Sequence, residues 1–207
     1  VQIEANDVTG ISHGLTSLHQ LILTAKDGKL PVLNIQDKPL YGYRGLMLDC
    51  SRHFWTVDEL KESIDQMAFF KFNTLHMHLT DNQAWRMAVD KYPSLIKEGT
   101  YYYDFPEMSG KYYSKEDLKE IVRYAGSRGI EVIPEIDLPG HSTALLAALP
   151  ELSCKGGTFE TYPEERPWSK RKRADENMIC VGNPKSYEFA ADIIDALAEI
   201  FPSKYIH

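Results

Sequence analysis

Cysteine is scarce in this sequence: Cys50, Cys154 and Cys180 are the only three in 207 residues. Three cysteines are too few for the several crosslinks of a small disulfide scaffold. No uncharged apolar run reaches the length that crosses a bilayer, so the sequence predicts no membrane span. No signal peptide is visible either, because Val1 leads directly into VQIEAN, a segment with the pattern of a strand.

Positive charge is also in deficit: 23 Lys and Arg stand against 30 Asp and Glu, which gives a formal net charge of −7. Nucleic acid is disfavoured as a partner, because phosphate binding requires a positive field. A basic run at 170–173 is flanked on both sides by acidic residues, and we interpret it as part of a solvated loop. Hydrophobic residues at 43% and charged residues at 26% are the balance of a globular domain.

Apolar strands alternate with amphipathic helices from residue 41 onward. Predicted strands lie in RGLMLDC, TLHMHLTD, IEVIPEID and the final KYIH, and helices lie between them. Thr56 and Ser114 have the spacing of helix N-caps, and Asn183 precedes a helix that starts at Pro184. Alternation of this kind predicts a parallel sheet with right-handed crossovers.

Two parallel folds compete for this pattern, a doubly wound sheet and a closed barrel. A doubly wound nucleotide-binding fold requires a glycine-rich turn after its first strand, and DCSRHFW contains no glycine. Three successive strands instead carry polar groups near their carboxyl ends, where a barrel builds its site. These groups are Asp49 on the first strand, His76 and His78 on the second, and Glu135 and Asp137 on the third. We predict an α/β fold in which residues 41–207 form the first three to four units of a (β/α)8 TIM barrel.

Residues 1–40 have a different pattern, which predicts a strand, a helix and an edge strand closed by Pro39. The helix is expected to bury one apolar face, formed by Ile11, Leu15, Leu18 and Ile22. This is too little for an independent domain. We interpret residues 1–40 as the C-terminal part of a small α/β domain that precedes the barrel.

Three motifs together resemble one family: YRGLMLDCSRHF (43–54), LHMHLTDNQAW (75–85) and PEIDLPGH (134–141). They are similar to the first three strands of the catalytic barrel of family 20 glycoside hydrolases, the β-N-acetylhexosaminidases. The resemblance implies an exo-acting enzyme that removes terminal β-linked N-acetylglucosamine or N-acetylgalactosamine from glycans with retention. It implies substrate-assisted catalysis, in which the 2-acetamido oxygen of the sugar forms an oxazolinium, and no cofactor or metal.

The resemblance also implies roles for single residues. Arg52 would donate to two vicinal hydroxyls of the terminal sugar, and Asp81 would orient His141, which contacts the general acid. Asp137 would be a supporting carboxylate, whereas Glu135 is expected to be a structural partner deeper in the barrel. The general acid belongs to an Asp-Glu pair that the family carries just beyond the fourth strand, so we expect residues 1–207 alone to be inactive. Asn82 and Ala84 depart from the family pattern, which commonly has Asp and Gly there.

Two alternatives remain open. His76 and His78 form an HxH pair on one strand face, which is known in metal-dependent barrel hydrolases. Their position on the second strand favours packed interior histidines instead. The chain could also be part of a non-catalytic sugar-binding module that retains half of a barrel.

Cys154 and Cys180 bracket a polar loop, and related enzymes often crosslink this loop. We therefore expect a disulfide between them, which would stabilise the fold by closing about 27 residues, and a buried free thiol at Cys50. A disulfide and the resemblance together predict export to a secreted, periplasmic or lysosome-like compartment. Half a barrel has unpaired strand edges, which could pair with a second copy in a homo-oligomer.

Overall fold

The protein contains a three-stranded parallel sheet. Its structure is a computed structural model that describes residues 1–100, 106–161 and 177–207. The strands are β1 (Gly45–Asp49), β2 (Thr74–His78) and β3 (Glu131–Glu135), in the order β1-β2-β3. They are in register from end to end: β1 residue Gly45 lies beside Thr74, and Thr74 lies beside Glu131.

Six α-helices accompany the sheet in the described residues. They are α1 (Val8–Thr24), α2 (Val57–Phe69), α3 (Ser94–Lys97), α4 (Lys115–Gly126), α5 (Thr143–Ala148) and α6 (Pro184–Ile200). Two short 3₁₀ turns cover Pro106–Met108 and Pro150–Leu152. No helix in the described stretches is both long enough and apolar enough to span a bilayer.

The strand order continues in one direction beyond β3. The backbone N–H of His207 donates to Pro134 O at 2.9 Å, and His207 O accepts from the N–H of Ile136 at 3.2 Å. The last residue therefore begins a fourth pairing along the edge of β3 that β2 does not occupy. A doubly wound sheet reverses its strand order at this stage, whereas a barrel continues with each new strand beside the last.

One face of the sheet packs against the crossover helices. Helix α2 packs beside α4, and α4 packs beside α6 and against β3. The fully or almost fully buried core side chains on this side come from two strands and three helices: Leu75, Met77, Val132, Leu60, Ile64, Leu118, Ile121, Phe189 and Ile193. Because the apolar residues of β2 alternate with His76 and His78, the two histidines lie on the opposite face.

Two of the crossover helices start with the capping boxes that their sequences predict. Thr56 Oγ1 accepts from the N–H of Glu59, whose carboxylate accepts from the N–H of Thr56. Ser114 and Asp117 make the same reciprocal pair at the start of α4. These bonds satisfy helix N–H groups that otherwise lack a partner, which is why local sequence is enough to locate both helix starts.

The predictions for residues 1–40 are partly wrong. The helix is present as α1, but neither VQIEAN nor the segment before Pro39 forms a strand. A strand requires a neighbour that pairs along its length, and in the described residues these segments show only an isolated bridge between Lys26 and Lys29. The expected apolar face of α1 is also largely exposed, because Leu15 and Ile22 each retain 54% of their surface.

A different side of α1 contacts the rest of the protein. Gln20 Nε2 donates to Phe69 O at 2.7 Å, and the ring of His19 packs edge-on against Phe69 at the end of α2. Lys71 Nζ donates to Ser17 Oγ at 2.7 Å. These contacts hold α1 near the start of β2, at the end of the sheet opposite the candidate site.

Candidate active site

Polar side chains collect at the carboxyl ends of the three strands. Asp49 ends β1, Asp81 follows β2 by three residues, and Glu135 ends β3. Because the strands are parallel and in register, these ends meet at one edge of the sheet. The same edge receives Arg52 from the loop after β1 and His141 from the turn after β3.

Asp81 is the centre of this cluster and is only 2% exposed. Its Oδ1 accepts from His141 Nδ1 at 3.0 Å and from the N–H of Asn82 at 2.6 Å. Its Oδ2 lies 2.6 Å from Arg52 Nη2 and 3.0 Å from His78 Nε2. Burial alone would raise the pKa of Asp81. These hydrogen bonds and the positive charge of Arg52 have the larger, opposite effect, so the pKa of Asp81 lies below the usual range. Asp81 is therefore an ionised carboxylate.

Arg52 contacts three side chains, one at the end of β1 and two in the loop after β2. Its Nη1 donates to Asp49 Oδ2 at 2.8 Å, its Nε donates to Gln83 Oε1 at 3.2 Å, and its Nη2 pairs with Asp81. Asp49 Oδ1 also accepts from the N–H groups of Ser51 and Arg52, both at 3.0 Å, and so fixes the turn. About a quarter of the Arg52 side chain remains exposed. The guanidinium is thus oriented before any ligand arrives.

His141 lies in the tight turn between β3 and α5, with a backbone φ of 53°. Two hydrogen bonds from a distant segment brace this turn: Ile179 N–H donates to Pro139 O, and Ser142 N–H donates to Asn177 O, both at 2.9 Å. Since Asp81 is ionised, Nδ1 carries the proton of their shared bond, and Nε2 is the nitrogen that can meet another group. The ring is 56% exposed, so Nε2 can be reached.

A second layer of ionisable groups lies below Asp81. His78 Nδ1 is 2.7 Å from Glu135 Oε1, and His76 Nε2 pairs with the other oxygen of Glu135. Burial lowers the pKa of His78, but its hydrogen bonds to Asp81 and Glu135 raise it more, to about 9. Sequence reasoning treated the two histidines as packed interior residues, and both are hydrogen-bonded or ion-paired on the inner face.

Glu135 and Asp137 share this layer with opposite pKa shifts. Burial and the neighbouring charge of Glu135 raise the pKa of Asp137. Burial also raises the pKa of Glu135, but its bond to His78 and the charges of both histidines lower it overall. Asp137 lies 4.0 Å from His78 Nδ1, and its backbone N–H donates to Thr80 Oγ1 at 3.1 Å. Asp137 therefore faces Glu135 and His78 rather than forming a hydrogen bond with His141.

The two departures from the family pattern have structural partners. Asn82 Oδ1 accepts from the N–H of Thr143 at 3.2 Å and from its hydroxyl at 2.9 Å, which ties the Asp81 loop to the start of α5. Ala84 is fully buried, and its carbonyl accepts from Ser51 Oγ at 2.8 Å. Both residues therefore support the loops that carry Arg52 and Asp81.

Three sets of side chains in the described residues bring metal-ligand atoms within 4.8 Å of one another. They are His76, Glu135 and His207; His78, Glu135 and Asp137; and Asp81, Asp137 and His141. Each set contains an imidazole and a carboxylate that already contact each other: His76 with Glu135, His78 with Glu135, and His141 with Asp81. The chemistry of the donor sets permits a cation, but these donor atoms already have protein partners.

The contacts of three contributors to the site were not predicted from the sequence. Strand alternation placed Asp49 and His78 near the site end of the sheet, and His78 was considered as a metal ligand or a packed interior residue, but neither was assigned a contact with Arg52 or Asp81. Gln83 was given no role. No strand pattern marks Gln83, because its contact with Arg52 depends on how two loops meet.

Cys154 and Cys180 are joined in a disulfide with a Cα–Cα distance of 4.8 Å, the pair expected from the resemblance. Cys50 is a fully buried free thiol, and burial raises its pKa to about 12. The basic run at 170–173, between the two bridged cysteines, lies outside the described residues.

Comparison with known proteins bears directly on this site. The profile described as "Glycosyl hydrolase family 20, catalytic domain" matches residues 41–207, which include Arg52, Asp81 and His141. This chain belongs to glycosyl hydrolase family 20. The match covers the sheet, its crossover helices and every residue of the candidate site.

Relatives over nearly the whole chain carry consistent names. A "Beta-hexosaminidase" of Porphyromonas gingivalis is 38% identical over 100% of this chain and 27% of its own length. A "Beta-hexosaminidase" of Akkermansia muciniphila is 41% identical over 96% of this chain and 40% of its own. The chain therefore spans roughly a third of the length of such family 20 relatives.

Solved structures of family 20 proteins have the same fold over this region. The N-acetyl-β-hexosaminidase of Streptomyces plicatus has a TM-score of 0.82 and 40% identity, covering 96% of this chain and 40% of that protein. The β-N-acetylhexosaminidase of Bacteroides fragilis has a TM-score of 0.86 and 35% identity, covering 99% and 39%. The three parallel strands and their helices are thus the part of the family fold that this chain contains.

Proposed function

We propose that the protein containing this chain is an exo-acting β-N-acetylhexosaminidase. It removes terminal non-reducing β-linked N-acetylglucosamine or N-acetylgalactosamine from glycans with retention of configuration. The observation that carries the proposal is the buried Asp81 carboxylate, which joins Arg52 and His141 at the carboxyl edge of the sheet. The names of the family 20 relatives support the same activity.

Arg52 has the geometry of a group that binds sugar hydroxyls. A guanidinium presents donors in a fixed planar fork, which suits two vicinal hydroxyls of one ring. Asp49, Asp81 and Gln83 hold the fork in place, so little side-chain entropy is lost when the sugar binds. In this proposal Arg52 holds the terminal sugar by its hydroxyls at C3 and C4.

His141 has the geometry of a group that tunes a neighbouring acid. Asp81 keeps the proton on Nδ1, so Nε2 accepts a hydrogen bond from a general acid that the resemblance locates outside residues 1–207. That acid protonates the leaving glycosidic oxygen while the 2-acetamido oxygen of the substrate attacks the anomeric carbon. Water then opens the oxazolinium with the acid acting as base, which gives net retention. Asp137 supports the charge balance of the layer beneath.

The same proposal extends to the rest of the architecture. The three strands and the pairing of His207 are the first units of a (β/α)8 barrel, and residues 1–40 are the end of a small domain before it. The disulfide between Cys154 and Cys180 supports an exported protein, because such bonds persist in oxidising compartments.

Kinetics on paired substrates test the proposal. The full-length product of the gene should hydrolyse the nitrophenyl β-glycoside of N-acetylglucosamine and should scarcely hydrolyse the matched β-glucoside, which has no acetamido group to act as nucleophile. We expect a rate ratio of about 1,000 or more, because an intramolecular nucleophile supplies a large part of the acceleration. Equal rates on the two substrates would refute the substrate-assisted mechanism, and no hydrolysis of either would refute the activity.

A further inference from the structure

His78 occupies an unusual position for a histidine outside the direct reach of a ligand. It is only 5% exposed, and both ring nitrogens face carboxylates: Nδ1 lies 2.7 Å from Glu135 Oε1, and Nε2 lies 3.0 Å from Asp81 Oδ2. A ring that donates to carboxylates on both sides must carry both protons. The buried imidazole is therefore a cation between two anions.

We propose that His78 is a positioning residue that keeps Asp81 ionised and keeps its Oδ1 directed at His141. The inference rests on the proposed function, because His141 is taken to act on the general acid. His78 is the link in a continuous series of hydrogen bonds that runs from Glu135 through His78 and Asp81 to His141. Glu135 then has an indirect role at the mouth of the site, although it lies too deep to contact a sugar.

The geometry of Asp81 supports this assignment. His78 and Arg52 both bind Oδ2, which leaves Oδ1 for His141 and the N–H of Asn82. Arg52 is partly exposed and is expected to engage substrate, so its contribution to Asp81 changes when a ligand binds. His78 is only 5% exposed, so a bound sugar does not displace it from Asp81 and it can hold the carboxylate through the whole reaction.

The charges around His78 favour the cation. Arg52 Nη1 lies 3.1 Å from Nε2 and disfavours a second positive charge, but it is itself neutralised by Asp49 and Asp81. The raised pKa of His78, about 9, agrees with a ring that stays protonated at neutral pH. The titratable and charged groups that face His78 from the three strands and their loops are Asp49, Arg52, His76, Asp81, Glu135 and Asp137.

A matched pair of variants in the full-length gene product tests the proposal. His78→Gln keeps a donor that can reach Asp81 but removes the positive charge. His19→Gln is the control, because His19 on α1 contacts Phe69 at the end of the sheet opposite the candidate site. We expect His78→Gln to lower kcat on the nitrophenyl N-acetylglucosaminide about 10- to 100-fold, the cost typical of removing a group that orients a site residue. We expect His19→Gln to change kcat less than about threefold.

The pH profile separates positioning from a merely structural role. Loss of a cation beside Asp81 should raise the pKa of that carboxyl, so the acid limb of the His78→Gln profile should move up by about one pH unit. His19→Gln should leave the limb unchanged. An acid limb of His78→Gln at the wild-type position, or a loss of kcat no larger than that of His19→Gln, would overturn the proposal.

Nuclear magnetic resonance gives a readout that does not depend on activity. The carboxyl carbon of Asp81 should titrate about one pH unit higher in His78→Gln than in the wild type, and no change would overturn the proposal. If the wild type lacks hexosaminidase activity, the proposed function fails while this titration still decides the role of His78. If His78→Gln does not fold, Glu135→Gln is the alternative variant, because it keeps an acceptor for His78 and removes one negative charge. The pH midpoint at which the His78 ring titrates should then fall. An unchanged midpoint would overturn the proposal.

Discussion

His141 shows how the backbone sets the geometry of the candidate site. A left-handed conformation in a residue other than glycine costs about 1–2 kcal/mol, and it persists only where neighbouring structure supports it. Here the support comes from hydrogen bonds of Asn177 and Ile179, which hold the residues on both sides of the turn. The ring is consequently directed at Asp81 by the backbone rather than by its own packing.

Asp81→Asn should sharply reduce hydrolysis of the nitrophenyl N-acetylglucosaminide by the full-length gene product. The amide keeps the shape of the side chain, but it removes the charge that holds the Nδ1 proton of His141 and neutralises Arg52. We expect kcat/KM to fall by about 100-fold or more. Asp192→Asn is the matched control, since Asp192 on α6 pairs with Lys91 and Tyr92, away from the site. A value for Asp81→Asn within threefold of this control would contradict the role of Asp81.

His78 should make stability depend on pH in the alkaline range. Its folded pKa of about 9 lies above the usual 6.5, so its contribution is fully present below pH 6.5 and is lost as the pH rises through 9. The contribution is on the order of 3 kcal/mol. Urea unfolding between pH 7 and pH 10 should show this decline in the wild type and a smaller decline in His78→Gln. Parallel pH dependences for the two proteins would contradict a protonated His78.

At the scale of elements, the disulfide holds the segment that braces His141. Cys180 immediately follows Ile179, and its N–H donates to Leu152 O at 2.7 Å. The bond to Cys154 therefore fixes residues 177–180 against the turn after β3. The loop between the cysteines begins and ends at this anchor.

Replacing both bridged cysteines by alanine should lower the free energy of unfolding by about 3 kcal/mol. In the chain-entropy model, a crosslink between residues 26 apart removes this much conformational freedom from the unfolded chain. Urea unfolding of the wild type and of the Cys154→Ala/Cys180→Ala variant measures the difference. Dithiothreitol should destabilise the wild type alone. Equal stabilities of the oxidised wild type and the variant would show that the crosslink contributes nothing.

Elements with local causes were predictable from the sequence, and elements with distant causes were not. The capping boxes at Thr56 and Ser114 depend on residues three apart, so pattern alone locates these helix starts. The bonds of His78 join β2 to β3 and to the loop after β2, so no local pattern specifies them. The prediction of a strand in VQIEAN was wrong for the same reason, because a strand forms only beside another strand and its own sequence does not specify that partner.

For the candidate site too, local motifs were predictive and contacts between distant segments were not. The motifs that resemble family 20 identified Arg52, Asp81 and His141, and the structure brings these three into direct contact. Motif spacing gave no information on how their side chains are supported. The contact of Arg52 with Gln83 joins two loops that meet only in the folded sheet, although its contact with Asp49 spans only three residues.

At the scale of the whole molecule, the described inner face of the sheet contains an apolar side chain that a larger barrel would cover: Met47 on β1 is 53% exposed. Leu15 and Ile22 on α1, each 54% exposed, lie at the other end of the sheet, where the rest of the proposed small domain would cover them. His207 pairs with Pro134 and Ile136 along the outer edge of β3. The exposed Met47 agrees with the proposal that further strands complete the site.

Residues 1–207 alone should show no measurable hydrolysis of the nitrophenyl N-acetylglucosaminide. The proposed general acid is outside this stretch, and its loss costs about 10²–10⁴-fold in rate. The full-length gene product, assayed at the same molar concentration, is the control. Hydrolysis by the 207-residue chain at a rate comparable to the full-length protein would contradict the assignment of the acid.

The contact between Arg52, Asp81 and His141 is the central element of this account, and a crystal structure of the full-length protein with N-acetylglucosamine tests it most directly. We expect Arg52 to donate to two hydroxyls of the bound sugar at about 2.7–3.2 Å. We also expect His141 Nε2 to contact a carboxyl group from beyond residue 207, with Nδ1 still bound to Asp81. A sugar bound elsewhere, with no hydrogen bond to Arg52 and no carboxyl group beside His141, would contradict it.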